Sequence, residues 1–526
     1  MNQNLTRRQL LAMVGAAGGA TAIYQTGMAM GVMADTGAVA RLDLKNVGAS
    51  KKNVVVLGAG LSGLAVAYEL ERAGYDVSII EASHRVGGRS LTLRSGDIVD
   101  EMGNRQVCEF DDHPEMFFNA GPARIPGHHR RVLNYCKELK VPLIIKGNFA
   151  RNAWMQDNDH FDGKPVRVGH YVADARGFLS ELLYKAIDLN RFDQPLSAED
   201  RERLLQFATT FGDLRPGGSY AGSSRAGYDE GGFLRPAVSR EPKSFEALLN
   251  SNFWRRMFDG SERPDWGDPL MEVDGGMDGI VKAFVREIAS PIRTNAQVQS
   301  INLTSSGVDV VYNYKGAPQK ISADYCFNCI PTHFMPGIPN NLPKDYREGL
   351  AALIPGNFMK IGLQMKKRFW EEEGIFGGAT NTTQPINAIW YPSHGIHGDK
   401  GVVLGAYVLF DRVKEWDRLS PKERIRLAGE CGDRIHEGYS GYIESGVSIP
   451  WGRMNHMMGC GTQWTDDVRE RYFKLLQQPA GGRHFMIGDQ ISYHSSWQEG
   501  AFASAENALL ELDQRVRAES SQTGMG

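Results

Sequence analysis

The sequence has little of three features that would assign it to a specialised class of protein. Its 526 residues include only six cysteines, scattered along the chain, which excludes a small scaffold held by disulfide bonds. The formal net charge is only -3, so nothing in the composition attracts nucleic acid or an acidic membrane. No apolar run suits a stable membrane span, and no internal repeat is present. The length and the 42% hydrophobic content instead predict several domains with ample core.

Reactive side chains show no pattern typical of a redox pair or a metal site. Cys326 and Cys329 form a C-x-x-C within an apolar, strand-like segment, and no helix starts after the first cysteine, which favours buried thiols over a redox pair. His128 and His129 stand before an amphipathic helix that reaches Leu139, which favours a helix-start or surface role over catalysis. No cluster of histidine, cysteine and carboxylate has ligand spacing, so we expect no metal site.

The first 45 residues have the pattern of an export signal and linker. Arg7 and Arg8 precede a modest Gly/Ala-rich apolar run that ends near Ile23, and Ala38-Val39-Ala40 is suited to cleavage. This pattern resembles a twin-arginine (Tat) signal, whose cargo folds in the cytoplasm before export to the periplasm or beyond. The alternative is an ordinary N-terminal helix beginning at Thr6.

A dinucleotide-binding motif follows. The apolar run 54–57 predicts a buried strand, residues 64–70 have helical spacing, and 77–80 predict a second strand that ends at Glu81. Between the first strand and the helix, Gly58 permits the tight turn, Gly60 the approach of a pyrophosphate, and Gly63 the packing of helix on strand. Glu81 is placed to accept hydrogen bonds from a ribose.

A second glycine pair, Gly87-Gly88, is followed by Arg89 and comes directly after this unit. The arrangement resembles flavoproteins of the amine oxidase group and implies that the dinucleotide is FAD. Three later segments resemble the same family: the Gly275-Gly276-Met277 turn expected near the flavin, the strand entry at Val298, and the C-terminal Gly488-Asp489 with a helix start at Trp497. The resemblance implies the following cofactor-binding residues: Gly58, Ala59, Gly60, Ser62, Gly63, Glu81, Ala82, Gly88, Arg89, Ala123, Arg124, Val298, Gly488, Asp489, Trp497, Gln498 and Ala501.

The segment from Gly121 to Pro126 resembles the G-x-x-R-x-P element of L-amino acid oxidases, in which the arginine, here Arg124, binds the substrate carboxylate. A planar guanidinium suits a carboxylate because it donates two parallel hydrogen bonds. The resemblance also implies that Tyr391 binds the carboxylate. Lys360 would hold a water near the flavin and help oxygen react, and Trp497 would form one wall of an aromatic cage. Trp451 and Trp464 both remain candidates for another wall.

The fold predicted is α/β with mixed α+β character. It comprises a discontinuous Rossmann-like FAD-binding domain of the amine oxidase type, a mixed-sheet substrate domain and a helical insertion. The predicted domains are a signal and linker at 1–45, an FAD-binding domain at 46–110, 265–335 and 478–515, a substrate-binding domain at 111–165 and 336–477, a helical domain at 166–264 and a flexible tail at 516–526.

The resemblance implies oxidation of L-amino acids, broadly and with large side chains, to 2-oxo acid, ammonia and hydrogen peroxide. A hydride would pass from Cα to flavin N5, and O2 would reoxidise the flavin. We expect no nucleic acid partner and a homodimer or higher homo-oligomer. Three alternatives stay open: a monoamine or polyamine oxidase, a flavin monooxygenase that converts the amino acid to an amide, and a non-enzymatic flavoprotein.

Overall fold

The computed structural model describes residues 51–189, 191, 196–251, 253–254, 263–267 and 269–523, together with Leu42 and Leu44, and gives the backbone alone at 520–523. Apart from Leu42, these residues belong to one unit, Leu44–Gly526. Except for Leu42 and Leu44, the export signal expected at 1–45 lies outside the described residues.

The chain alternates strands and helices throughout its described part. The strands are β1 Asn53–Leu57, β2 Asp76–Ile80, β3 Thr92–Leu93, β4 Ile98–Glu101, β5 Asn104–Val107, β6 Phe118–Asn119, β7 Ile125–Pro126, β8 Leu143–Lys146, β9 Trp154–Gln156, β10 Val166–Arg167, β11 Tyr228–Glu230, β12 Val238–Ser239, β13 Leu270–Val273, β14 Ile292–Arg293, β15 Ala296–Leu303, β16 Val308–Tyr314, β17 Ala317–Ala323, β18 Tyr325–Asn328, β19 Ile354–Pro355, β20 Phe358–Met365, β21 Ala379–Thr382, β22 Ala388–Trp390, β23 Gly401–Leu409, β24 Ile443–Pro450, β25 Thr462–Gln463 and β26 His484–Met486. The α-helices are α1 Leu61–Arg72, α2 Arg130–Glu138, α3 Val168–Asp188, α4 Ala198–Gly212, α5 Phe245–Asn250, α6 Gly279–Glu287, α7 Lys344–Ala351, α8 Phe369–Glu372, α9 Val413–Trp416, α10 Pro421–Asp433, α11 Tyr439–Tyr442, α12 Asp466–Gln477 and α13 Gln498–Thr523.

A five-stranded parallel sheet is built from three distant parts of the chain. Its strand order is β14-β2-β1-β18-β26, and every neighbouring pair is parallel. β1 lies at its centre, which explains why Val54 to Leu57 are all apolar and buried. The strand, helix and strand predicted before Glu81 are therefore confirmed, and the domain they form is discontinuous. Its exact boundaries stay a prediction.

A second, seven-stranded sheet has the order β10-β9-β21-β22-β23-β20-β24. Its strands pair antiparallel except for β21 and β9, which are parallel. β20 lies between β23 and β24, so nearly every residue of this strand is buried. The mixed sheet therefore supports one wall of the site described below.

Residues 168–250 contain the helices α3, α4 and α5, and the predicted bounds of a helical domain at 166–264 stay a prediction. Ser197 caps α4 by accepting a hydrogen bond from the Asp200 N–H. In the described part of the chain no helix has both the length and the apolar character needed to cross a membrane.

A flexible tail was expected at 516–526, and in the described part of that range α13 continues to Thr523. The Glu519 carboxylate accepts hydrogen bonds from Lys52 at 3.2 Å and from the Tyr325 hydroxyl at 3.0 Å. Val516 is buried as well. These contacts join Glu519 of α13 to Lys52 and to Tyr325 of the parallel sheet.

Candidate active site

A cavity of about 670 Å³ begins at the carboxyl ends of β1 and β2 and extends to the mixed sheet. This is the edge at which open parallel sheets bind ligands. The predicted site residues all line it except Ala59, Gly63 and Tyr391. The fold therefore brings together residues that lie more than 400 positions apart in the sequence.

The glycines of the first motif have separate structural roles. A Cβ on Gly60 would meet nothing within 4 Å, so this backbone is open to a ligand in the cavity. A Cβ on Gly63 would lie 2.1 Å from the Gly58 carbonyl oxygen, so Gly63 serves helix packing and does not line the cavity. Gly58 has a φ of +99°, which favours glycine. The Gly87 N–H donates to the Ala59 carbonyl at 2.7 Å and fixes the second glycine pair against the first.

Two carboxylates hold the cavity walls in place. Glu81 accepts hydrogen bonds from the N–H groups of Ala59 at 2.7 Å and Ser83 at 2.8 Å while lining the cavity. Asp489 forms an ion pair with Arg89 and accepts from the Ser496 N–H at 2.7 Å. Asp489 thus orients Arg89, and this pair joins the N-terminal loops to the C-terminal segment.

These features fit a dinucleotide. α1 begins after Gly60 without a side-chain cap, which leaves its first N–H groups open to phosphate. α13 begins beside the same cavity with Gln498 and Ala501 in the lining. A positive Arg89 and two helix starts around an open glycine loop therefore provide what a bound pyrophosphate requires.

At the far end of the cavity the Arg124 guanidinium is enclosed by three tryptophans, which we call the aromatic cage. Its Cζ lies 3.8 Å from the ring centroid of Trp266, 4.9 Å from that of Trp390 and 5.5 Å from that of Trp497. Its hydrogen bond to the Asn148 amide oxygen is long, at 3.5 Å. Within the described ranges no carboxylate forms a salt bridge with Arg124. Burial lowers the pKa of Arg124 to about 10, so it stays positive at neutral pH.

Lys360 lies on β20 and lines the same cavity. Its Nζ donates to the carbonyl oxygens of Asn119, at 3.3 Å, and Gly121. Burial lowers the pKa of Lys360 to about 7, and the nearby Arg124 contributes in the same direction. Lys360 is therefore poised between its charged and neutral forms near neutral pH.

Comparison with known proteins identifies the family. The model for the flavin containing amine oxidoreductases matches residues 61–508. The chain belongs to this family. The L-amino-acid oxidase of Naja atra is 28% identical over 509 residues, covering 90% of each chain. That of Bungarus fasciatus is 28% identical over 501 residues, covering 90% of this chain and 89% of its own. A solved structure of a redesigned putrescine oxidase superposes with a TM-score of 0.61 at 18% identity, over 88% of this chain and 99% of the other, and so shares the fold.

One predicted substrate contact of this amine oxidoreductase is wrong. Tyr391 is buried in the core away from the cavity, and its hydroxyl is 2.7 Å from the Thr380 hydroxyl and 2.6 Å from His436 Nε2. Trp390, the last residue of β22, faces the cavity, and Tyr391, which follows the strand, points away from it. The residue of this stretch that faces the cavity is therefore Trp390, one position before the predicted Tyr391.

The sequence did not predict several residues that line the cavity. Tyr407 lies on β23 beside Trp390, with ring centroids 5.3 Å apart, and no described group hydrogen-bonds its hydroxyl. Trp266 comes from a loop with no motif. Of the two tryptophans left open, Trp451 lines the cavity, whereas the Trp464 indole donates to the Gln490 carbonyl outside it. An aromatic residue in a strand gives no signal that separates cavity from core.

The structure also places the Gly275-Gly276-Met277 turn and a group of side chains that could bind a metal ion. Met277 is buried and its N–H donates to the Asn119 side chain, so the Gly275-Gly276-Met277 turn supports the site without lining the cavity. The sequence spacing predicted no metal-ligand cluster, but the fold gathers His128, His129, Asp265 and His494.

The predicted buried thiol is confirmed for Cys326, whereas Cys329 is half-buried. Cys326 and Cys329 are both free, and burial raises the pKa of Cys329 to about 11. Cys329 also lines the cavity, and its thiol donates to the Gly58 carbonyl at 3.0 Å.

Proposed function

We propose that this flavoprotein is an FAD-dependent oxidase of L-amino acids, with a preference for large side chains. The overall reaction converts an L-amino acid, O2 and water to a 2-oxo acid, ammonia and hydrogen peroxide. The observation that carries the proposal is Arg124: a buried cation that forms no salt bridge with any carboxylate of the described residues and faces the cavity that holds the dinucleotide cradle. Because an unpaired buried charge is costly, such a site favours an anionic ligand.

The residues that would hold FAD are those of the cradle: Gly58, Gly60 and Arg89 at the pyrophosphate, Glu81 at the adenosine ribose and the α13 start at the flavin end. When bound, the flavin supplies the acceptor for the hydride of the substrate Cα–H and passes two electrons to O2.

The protein itself positions the substrate. Arg124 would bind the carboxylate through two parallel N–H donors, and the Tyr407 hydroxyl offers a further donor on the neighbouring strand. Trp390 and Trp497 provide apolar walls that exclude water and suit a large side chain. Lys360 would hold a water by one N–H while two backbone carbonyls fix its ammonium group.

The comparisons support this choice to different degrees. Two L-amino-acid oxidases align over nine tenths of the chain, whereas the putrescine oxidase shares the fold alone. A simple amine carries no carboxylate and leaves Arg124 unpaired.

A matched set of three substrates tests the proposal: L-phenylalanine, D-phenylalanine and 2-phenylethylamine, which differ only in configuration or in the carboxylate. We expect peroxide with the L-amino acid and little with the other two. Arg124→Met should lower kcat/KM for L-phenylalanine by about 100-fold or more, because a buried charged pair is lost, and leave any amine oxidation unchanged. Arg426→Met, at an exposed arginine of α10, is the control.

Two results would overturn the proposal. One is faster turnover of 2-phenylethylamine than of L-phenylalanine, which would indicate an amine oxidase. The other is formation of the amide and carbon dioxide in place of peroxide and 2-oxo acid, which would indicate a monooxygenase.

A further inference from the structure

Four side chains from three separate segments meet beside the aromatic cage: His128, His129, Asp265 and His494, here called the His–Asp cluster. Each offers one ligand atom, and these atoms all lie within 4.8 Å of one another. One Asp265 oxygen is 2.8 Å from His128 Nε2 and 2.9 Å from His129 Nε2. None of these four side chains lines the cavity, and none hydrogen-bonds the Arg124 guanidinium.

The composition and spacing of the cluster suit one kind of ion. Imidazole nitrogens with a carboxylate oxygen are typical ligands of Zn²⁺, which is four-coordinate at metal–ligand distances of about 2.0–2.2 Å. A tetrahedral arrangement at those distances separates the ligand atoms by about 3.3 Å. The Asp265 oxygen lies 2.8 and 2.9 Å from the two histidine nitrogens, slightly closer than this separation. All four ligand atoms lie within 4.8 Å of one another, so small shifts would bring them to the tetrahedral spacing.

Hydrogen bonding does not by itself explain the fourth member. His128 and His129 each have Asp265 as a partner, but none of the described residues hydrogen-bonds the His494 imidazole. The His494 ring lies 5.8 Å from that of His129. We propose that the His–Asp cluster binds one Zn²⁺, with His494 completing the ligand set.

The ion would connect parts of the chain that shape the substrate end of the cavity. Asp265 is the immediate neighbour of Trp266, which stacks on Arg124 at 3.8 Å. His129 contacts Trp497 edge to face at 5.1 Å and precedes α2, and His494 precedes α13. Bound Zn²⁺ therefore ties segment 263–267 to two helix starts and holds Trp266 over Arg124.

Binding can be measured without any turnover. The flavin-loaded full chain, purified without a histidine tag and treated with EDTA, is titrated calorimetrically with ZnCl2 and with MgCl2. We expect one Zn²⁺ per chain at micromolar affinity and no Mg²⁺, which prefers an oxygen-only site. His128→Ala and His494→Ala should each weaken Zn²⁺ binding about tenfold or more, because each removes a ligand.

The control is His397→Ala, at an exposed histidine outside the cluster, which should bind Zn²⁺ like the parent. Asp265→Asn provides a second test that preserves side-chain size, and the flavin absorbance of each variant verifies folding. The site is disproved if the parent shows no Zn²⁺ binding below about 100 µM, or if all cluster variants bind it unchanged.

A Zn²⁺-soaked crystal locates the ion independently. An anomalous peak among the four side chains supports the site, and a peak elsewhere overturns it. Hydrogen exchange then tests the connecting role: bound Zn²⁺ should slow exchange in 263–267, and unaltered exchange would refute it. All of these readouts are independent of whether the substrate is an amino acid.

Discussion

Two tyrosines on neighbouring strands should respond in opposite ways to loss of their hydroxyl groups. In Tyr391→Phe the change removes a hydroxyl that bonds Thr380 and His436 in the core. In Tyr407→Phe it removes a hydroxyl that faces the cavity near Arg124. Each variant keeps its aromatic ring, so packing is almost unaltered and only the hydrogen bonds differ.

The magnitudes follow from burial. Loss of the Tyr391 hydroxyl leaves buried polar partners unsatisfied and should lower the free energy of unfolding by about 1–3 kcal/mol. At about 2.1 cal/mol/K per residue, a unit of this size loses about 1 °C in Tm for each kcal/mol, so Tm should fall by about 1–3 °C. Loss of the Tyr407 donor to a charged carboxylate should remove about 1.5–3 kcal/mol of binding, or about 10–100-fold in kcat/KM.

Both variants are measured by scanning calorimetry and by steady-state peroxide formation with an L-amino acid. Tyr391→Phe should have a lower Tm and a KM within about twofold of the parent. Tyr407→Phe should keep the Tm of the parent and have a lower kcat/KM. A tenfold higher KM in Tyr391→Phe together with an unchanged kcat/KM in Tyr407→Phe would refute the assignment of these two side chains.

Three other predictions concern buried charge and the glycine loop. The Lys360 pKa is about 7 in the folded protein and ordinarily 10.5, so the unfolded chain binds more protons between these two pH values. Lys360→Met should therefore raise Tm most below pH 7, and the gain in Tm should shrink as the pH approaches 10.5. A gain in Tm that does not depend on pH would contradict this. Arg424 donates to both oxygens of Glu101 at 2.7 and 2.8 Å, and Arg424→Met should cost about 3–5 kcal/mol in chemical denaturation without altering KM. Gly60→Ala should give folded protein with a lower flavin-to-protein absorbance ratio because the added Cβ enters open space, whereas Gly63→Ala should lose soluble protein because its Cβ would meet the Gly58 carbonyl. Equal flavin content and yield in these two variants would contradict the roles assigned to the glycines.

Features encoded within a short stretch of sequence could be predicted. The strand, tight turn, helix and second strand around Gly58 follow from glycine spacing and apolar periodicity. Arg124 was found because its neighbours form a recognisable element. In each case a few adjacent residues determine the local geometry.

Features that depend on which distant segments of the chain come into contact could not be predicted from the sequence. The register that turns Tyr391 into the core is set by pairing of β22 with β21 and β23, and a shift of one residue exchanges the two faces. Trp266 reaches Arg124 only through the path of its loop. His494 lies more than 360 residues from His128 and His129, so sequence spacing carried no sign of the cluster.

The treatment of buried charge differs between the core and the cavity. In the core, Arg424 is fully buried with Glu101, and both guanidinium ends are satisfied. In the cavity, the fold keeps Arg124 positive with no described carboxylate in salt-bridge range and lowers the pKa of Lys360 toward 7. Folding alone would be better served by apolar side chains at both positions. Their presence beside an open glycine loop therefore indicates ligands that supply the missing negative charge, and this inference depends on the burial and pairing of the two cations, not on the identity of any relative.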